Sequence, residues 1–182
     1  MWLYATGQYA KHHIRLFEYQ PSRAGACASK FLEGFNGYLH TDAYAGYSQL
    51  DDVIHCYCMV HARRKFAEAL PENIEHTEET IPGRVIKEIG CLFKIEQDCQ
   101  ELSADERQKQ REEKNRPILL ALFEYLEKEK GHVPQASKLS KAINYCLSHR
   151  NELMNYLRDG NCSISNNLAE RSIRPFTIGR KN

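Results

Sequence analysis

The chain has 182 residues, 42% hydrophobic and 10% aromatic, enough apolar material for a packed core and too much for a disordered chain. It holds no apolar run of the ~18 residues a membrane span needs, and no basic segment leading into an apolar stretch at its start. No membrane segment or secretory signal is therefore predicted, and the chain reads as soluble and cytoplasmic. The net charge of +1 is unevenly spread: residues 1–66 carry 7 Lys/Arg against 5 Asp/Glu, residues 163–182 carry 4 against 1, and the middle holds 14 against 18. Basic ends around an acidic middle suggest a shared polyanion-facing surface. Seven cysteines without framework spacing fit reduced thiols rather than disulfides.

Trp2–Thr6 and Ile14–Tyr19 are short aromatic and β-branched runs, and they read as the strands of a hairpin-like pair around Gly7 and His12-His13. Pro21-Ser22-Arg23 breaks the chain, and Ala24–Phe35 has helical spacing. Tyr38–Thr41 is the next strand. It ends at Asp42, ahead of a small-residue, Tyr-rich turn around Ala45-Gly46. Val53–Cys58 is again a strand, and His61–Leu70 is helical. This order of elements predicts an α/β domain with a central mixed sheet. From about Glu72 to Gly160 the pattern changes to long charged helices over Arg84–Leu102, Ala104–Lys130 (interrupted at Pro117) and Ser137–Leu157. The dense charge of 101–116 lacks apolar heptads, so it reads as a solvated helix face.

Two carboxylates stand out. Asp42 closes a strand, a position that fixes a carboxylate rigidly in an open cleft and suits metal-dependent phosphoryl transfer; a turn or cap role is the alternative. Near the C-terminus, Asn167, Glu170, Arg171 and Arg174 fall on one helix face, with Pro175 expected to stop or kink the helix. A carboxylate flanked by guanidinium groups suits a metal and phosphate site. On local pattern alone Asn167-x-x-Glu170 reads first as a capping box, in which the carboxylate reaches back to the Asn167 N–H.

Three blocks in order carry a resemblance: GYLHTDAYAGY (37–47), CMVHARRKF (58–66) and SNNLAERSIRPFTIGRKN (165–182). Together, with a helical block between the second and third, the chain resembles the insertion-sequence 66 family of bacterial DDE transposases over essentially its whole length. The resemblance implies an RNase H-like core with a large helical insertion between the second and third acidic residues. The implied division is 1–70 as the N-terminal part of the core, expected to lack its first strand, 71–160 as the helical insertion and 161–182 as the C-terminal core helix carrying the third acid, expected to be truncated. Such cores hold two Mg²⁺ ions with three acidic residues to cleave and transfer DNA strands. On this match Asp42 and Glu170 are the second and third acids, catalytic and metal-binding. The first acid has no counterpart, because Glu18 and Glu33 are the only carboxylates before Asp42. The chain is thus expected to be a core fragment, inactive alone in strand transfer.

The resemblance further implies DNA contacts by His61, Arg63, Arg64, Lys65, Arg171, Arg174, Arg180 and Lys181, with transposon ends and target DNA as partners. Homo-oligomers or accessory transposition proteins are implied for the full-length family. Cys58-x-x-His61 would shape the cleft or touch DNA, while Cys56, Cys58 and His61 as zinc ligands are the rival reading, short of a fourth ligand. A non-catalytic nucleic-acid-binding module of the same fold is the alternative function, and a helical interaction protein a third.

Overall fold

The computed structural model describes residues 1–50, 52–72 and 76–179. Strands β1 (Trp2–Ala5) and β2 (Arg15–Glu18) pair antiparallel with Trp2 opposite Glu18. The Thr6 hydroxyl closes the connecting loop by donating to the His12 carbonyl and accepting the Ile14 N–H. Helix α1 (Gly25–Phe31) is shorter than its sequence pattern, ending ahead of Gly34, which takes φ +75°. Its first residue lies so close to the turn after Asp42 that a Cβ on Gly25 would sit 2.3 Å from the Gly46 carbonyl oxygen.

Strands β3 (Gly37–Thr41) and β4 (Val53–Tyr57) run parallel, with Gly37 opposite Val53 and Thr41 opposite Tyr57. In place of the expected central mixed sheet, the described residues form two separate two-stranded sheets, one antiparallel and one parallel. No backbone hydrogen bond joins β1 to β3 among the described residues, because a cleft separates their edges.

Helix α2 (Met59–Ala67) follows β4 directly and buries Met59, Ala62 and Phe66 at helical spacing. Helix α3 (Ile81–Asp98) starts at Thr80, whose side chain accepts the Gly83 N–H, with Pro82 in the first turn where a missing N–H costs nothing. Val85, Ile89 and Leu92 face inward and Glu96 continues the same buried face. Helix α4 (Ala104–Gln110) opens with a capping box between Ser103 and Glu106. It runs through a π-helical turn at Arg111–Asn115 into α5 (Arg116–Glu129). The expected interruption at Pro117 is thus absorbed by a wider turn that precedes the proline. Helices α6 (Lys138–Ser148) and α7 (Arg150–Met154) break at His149, and a 3₁₀ turn, Asn155–Arg158, follows. The last helix, α8 (Asn167–Gly179), continues through Pro175 rather than stopping there.

One hydrophobic core joins β4 and α2 to the helical block: Cys56, Met59 and Phe66 pack with Val85, Ile89, Leu122, Phe123 and Ile143. No helix of the described residues is long and apolar enough to cross a membrane, and the seven cysteines are free thiols.

Candidate catalytic and nucleic-acid site

Asp42 follows the last residue of β3 and is exposed, where the strand gives way to a tight turn. Two local bonds hold that turn: the buried Thr41 hydroxyl accepts the Ala43 N–H at 3.3 Å, and Oδ1 of Asp42 accepts the Tyr44 N–H at 3.2 Å. Ala43 between them takes φ +64°, the left-handed region that a side chain disfavours, so the turn is fixed by its surroundings. Asp42 thus uses one oxygen as a turn-former and still presents its carboxylate to solvent.

A chain of contacts leads from this strand end to the C-terminal helix. The Thr41 carbonyl accepts the Cys58 N–H at 3.1 Å, and the Cys58 carbonyl accepts the N–H of His61 in the first turn of α2. Nε2 of His61 then lies 2.7 Å from Oε1 of Glu170, the imidazole 19% and the carboxylate 35% exposed. The two groups touch at ion-pair distance without an aligned hydrogen bond. From the other side, the Ile164 carbonyl accepts the Met59 N–H and fixes the segment entering α8 against the start of α2. Glu170 is therefore turned across to α2. No bond from its carboxylate back to Asn167 is present among the described residues, so the capping alternative is not the one the fold builds.

The thiol of Cys58 is pushed above its ordinary range by burial first, and Glu170 adds to the rise while the N–H groups of Asn166, His61 and Val60 oppose it. Cys56 is fully buried with its Sγ 3.6 Å from that of Cys162. Cys56 thus faces Cys162, whereas Cys58 and His61 both lie beside Glu170. Among the described residues no three His, Cys, Asp or Glu side chains gather as a metal site, so neither the zinc set nor a complete two-metal carboxylate site is formed.

The basic residues divide. Arg63 and Arg64 are exposed and line an open depression of about 510 Å³ between α2, α3 and Asn167 at the start of α8. Lys65 instead lies over the Tyr145 ring at 4.5 Å. Arg171 and Arg174 are exposed on α8, and Arg174 has an interaction of its own. Arg180 and Lys181 lie outside the described residues. Helix α8 is tied to the first sheet by Arg15 Nε, which donates to Ser172 Oγ at 2.8 Å, and by Phe17 against Phe176. Sequence reasoning missed His40, which sits two residues before Asp42 on the cleft wall. Burial pushes its imidazole down to about 4, and neither ring nitrogen makes a well-formed hydrogen bond although the Ser163 and Ile164 backbone lies near. A histidine in strand alternation was the available signal.

The family model described as Transposase IS66 family matches residues 1–182. The chain belongs to that transposase family. Among curated relatives, it is 33% identical over 176 residues to the uncharacterized protein y4qI of Sinorhizobium fredii (strain NBRC 101917 / NGR234), covering 91% of this chain and 32% of that protein. It is also 31% identical to y4hP of the same organism over 88% of this chain and 32% of that protein. This transposase-family chain thus spans about a third of the length of the curated relatives it matches. No solved structure matches it.

Proposed function

We propose that this chain is part of the catalytic core of an insertion-sequence transposase, RNase H-like in fold, that acts on DNA phosphodiester bonds with Asp42 and Glu170 as two of its acidic residues. The observation that carries the reading is the link from β3 through α2 to α8, which brings the strand-end carboxylate region and the His61–Glu170 contact onto neighbouring elements. Two carboxylates on rigid element ends, beside exposed Arg63 and Arg64, provide negative charge for a cation and positive charge for a phosphate backbone. Donor chemistry suits a hard divalent cation such as Mg²⁺, which takes one or two carboxylates and keeps several waters. The residues described do not complete a site for a cation pair. A third carboxylate from elsewhere in the transposase is required before strand cleavage or joining can proceed.

Arg63 and Arg64 are assigned to the DNA backbone, where contacts add salt-dependent affinity without reading sequence. Replacing both by Ala is expected to lower DNA affinity uniformly across sequences. It should also reduce the slope of log affinity against log salt by about 2, the effect of losing two phosphate contacts. A slope unchanged in the double variant, measured by fluorescence anisotropy over a salt series, contradicts the assignment. Purified alone, the chain is expected to join no donor ends in Mg²⁺.

A second reading is a nucleic-acid-binding module without catalysis, supported by the exposed Arg63 and Arg64 beside the start of α8. DNA binding that is salt-dependent, metal-independent and indifferent to Asp42→Ala and Glu170→Ala would support it.

A further inference from the structure

The depression of about 510 Å³ beside α2 combines charge with an open apolar surface. From α2 it takes Val60, Arg63, Arg64 and Ala67, whose spacing of i, i+3, i+4 and i+7 makes them one stripe of that helix. From α3 it takes Gly90 and the half-buried Phe93, again one turn apart, and α8 contributes Asn167. Among the described residues no carboxylate lines it, and neither Arg63 nor Arg64 is in an ion pair. Gly90 stands in the interior of an 18-residue helix, where glycine is a poor helix former. Packing does not require it there, since a Cβ on Gly90 would meet nothing within 4 Å. Its missing side chain leaves the depression open beside the Phe93 ring. The depression also adjoins the proposed acidic site. Asn167 lies one turn before Glu170 on α8, and Arg64 lies one turn after His61, whose Nε2 is 2.7 Å from Glu170 Oε1.

We infer that this depression takes one unpaired nucleotide of the DNA, with its base against Phe93 and its phosphates on Arg63 and Arg64. The inference rests on the reading of the chain as part of a transposase core, and it names the form of DNA held beside Glu170. Two guanidinium groups without anionic partners match phosphate oxygens and set the charge of the occupant. An aromatic ring next to an open, uncharged surface matches the flat face of a base, and such stacking tolerates any sequence. The Asn167 amide both donates and accepts, which suits the edge of a base. A volume within the roughly 300–1,000 Å³ of small-ligand sites has room for a base and its sugar. Inside a duplex a base has its faces covered by its neighbours and its edge by its partner. Only a nucleotide that has left the stack can present all of these groups to the protein at once. An acidic protein segment carries the same charge, and the test separates it from a nucleotide.

The test measures the affinity of the whole chain for three labelled DNAs by fluorescence anisotropy. They are a paired duplex, the same duplex with one bulged nucleotide, and that bulge made abasic. The bulged duplex is expected to bind roughly ten-fold tighter than the paired one, the size of one base stacked on an aromatic ring, and the abasic bulge to lose the gain. Gly90→Leu, which places a side chain in the depression where the backbone has room for it, should abolish the preference for the bulge. Phe93→Leu, which keeps an apolar side chain and removes the ring, should weaken it. Equal affinity for the bulged and paired duplexes overturns the inference. So does a preference kept by the abasic bulge, which marks recognition of backbone flexibility, or one kept in Gly90→Leu, which leaves the depression to a protein segment. Paired-duplex binding with the salt slope of Arg63 and Arg64 but no bulge preference sinks the nucleotide site alone. No measurable binding of any of these DNAs sinks the DNA reading together with it.

Discussion

The imidazole of His40 couples stability to pH. Its folded value, about 4, lies below the ordinary 6.5 because burial penalises the charged ring. As pH falls, the unfolded chain takes up this proton first, so the folded state loses stability between roughly 6.5 and 4 and loses no more below that. Urea midpoints measured from pH 7 to pH 4 should therefore fall less steeply in His40→Leu than in the parent; parallel slopes would contradict the role. At the same scale, Asp42 was legible as a strand-end carboxylate, whereas its surroundings were not. The left-handed φ of Ala43 and the Thr41 hydroxyl that supports the turn carry no sequence signature, since alanine rarely marks such a position. Glu170 shows the limit of local pattern. Asn-x-x-Glu suggests a cap, and only the packing of α8 on α2 turns the carboxylate to His61.

At the scale of elements, the π-helical turn between α4 and α5 builds a polar clasp. Arg111 is fully buried and all five of its N–H donors are used: two on the Glu96 carboxylate, three on the Tyr156, Asp159 and Cys162 carbonyls. Asn115 adds bonds to Glu96 and the Tyr156 hydroxyl, and Arg107 holds the Cys99, Gln100, Leu102 and Gly160 carbonyls. The clasp fixes the segment that returns from the helical block to α8, and through it the position of Glu170. Arg111→Met leaves Glu96 buried without its partner and is expected to cost about 3–5 kcal/mol. The urea midpoint should drop accordingly with the denaturant slope unchanged, and an unaltered midpoint would refute the clasp. Residues 107, 111 and 115 recur at helical spacing, so the buried face was present in the sequence. The pattern nonetheless reads as a solvated face, because periodicity arguments count apolar residues and this face is polar throughout.

For the whole molecule, the order of strands and helices and the break into a charged helical block were readable from pattern and turn residues. The division of the strands into two sheets was not, because each strand's period specifies its faces and says nothing of which edges meet. The same limit applies to the proposed site, whose residues are carried at the end of β3 and on α2 and α8. Titration of the chain with Mn²⁺ in place of Mg²⁺ decides whether Asp42 and Glu170 form part of one cation site, as proposed. Weak binding is expected, which Asp42→Ala and Glu170→Ala each reduce by roughly ten-fold or more, about 1.4 kcal/mol, in variants that still fold. Mn²⁺ binding of equal strength in the parent and both variants would contradict it.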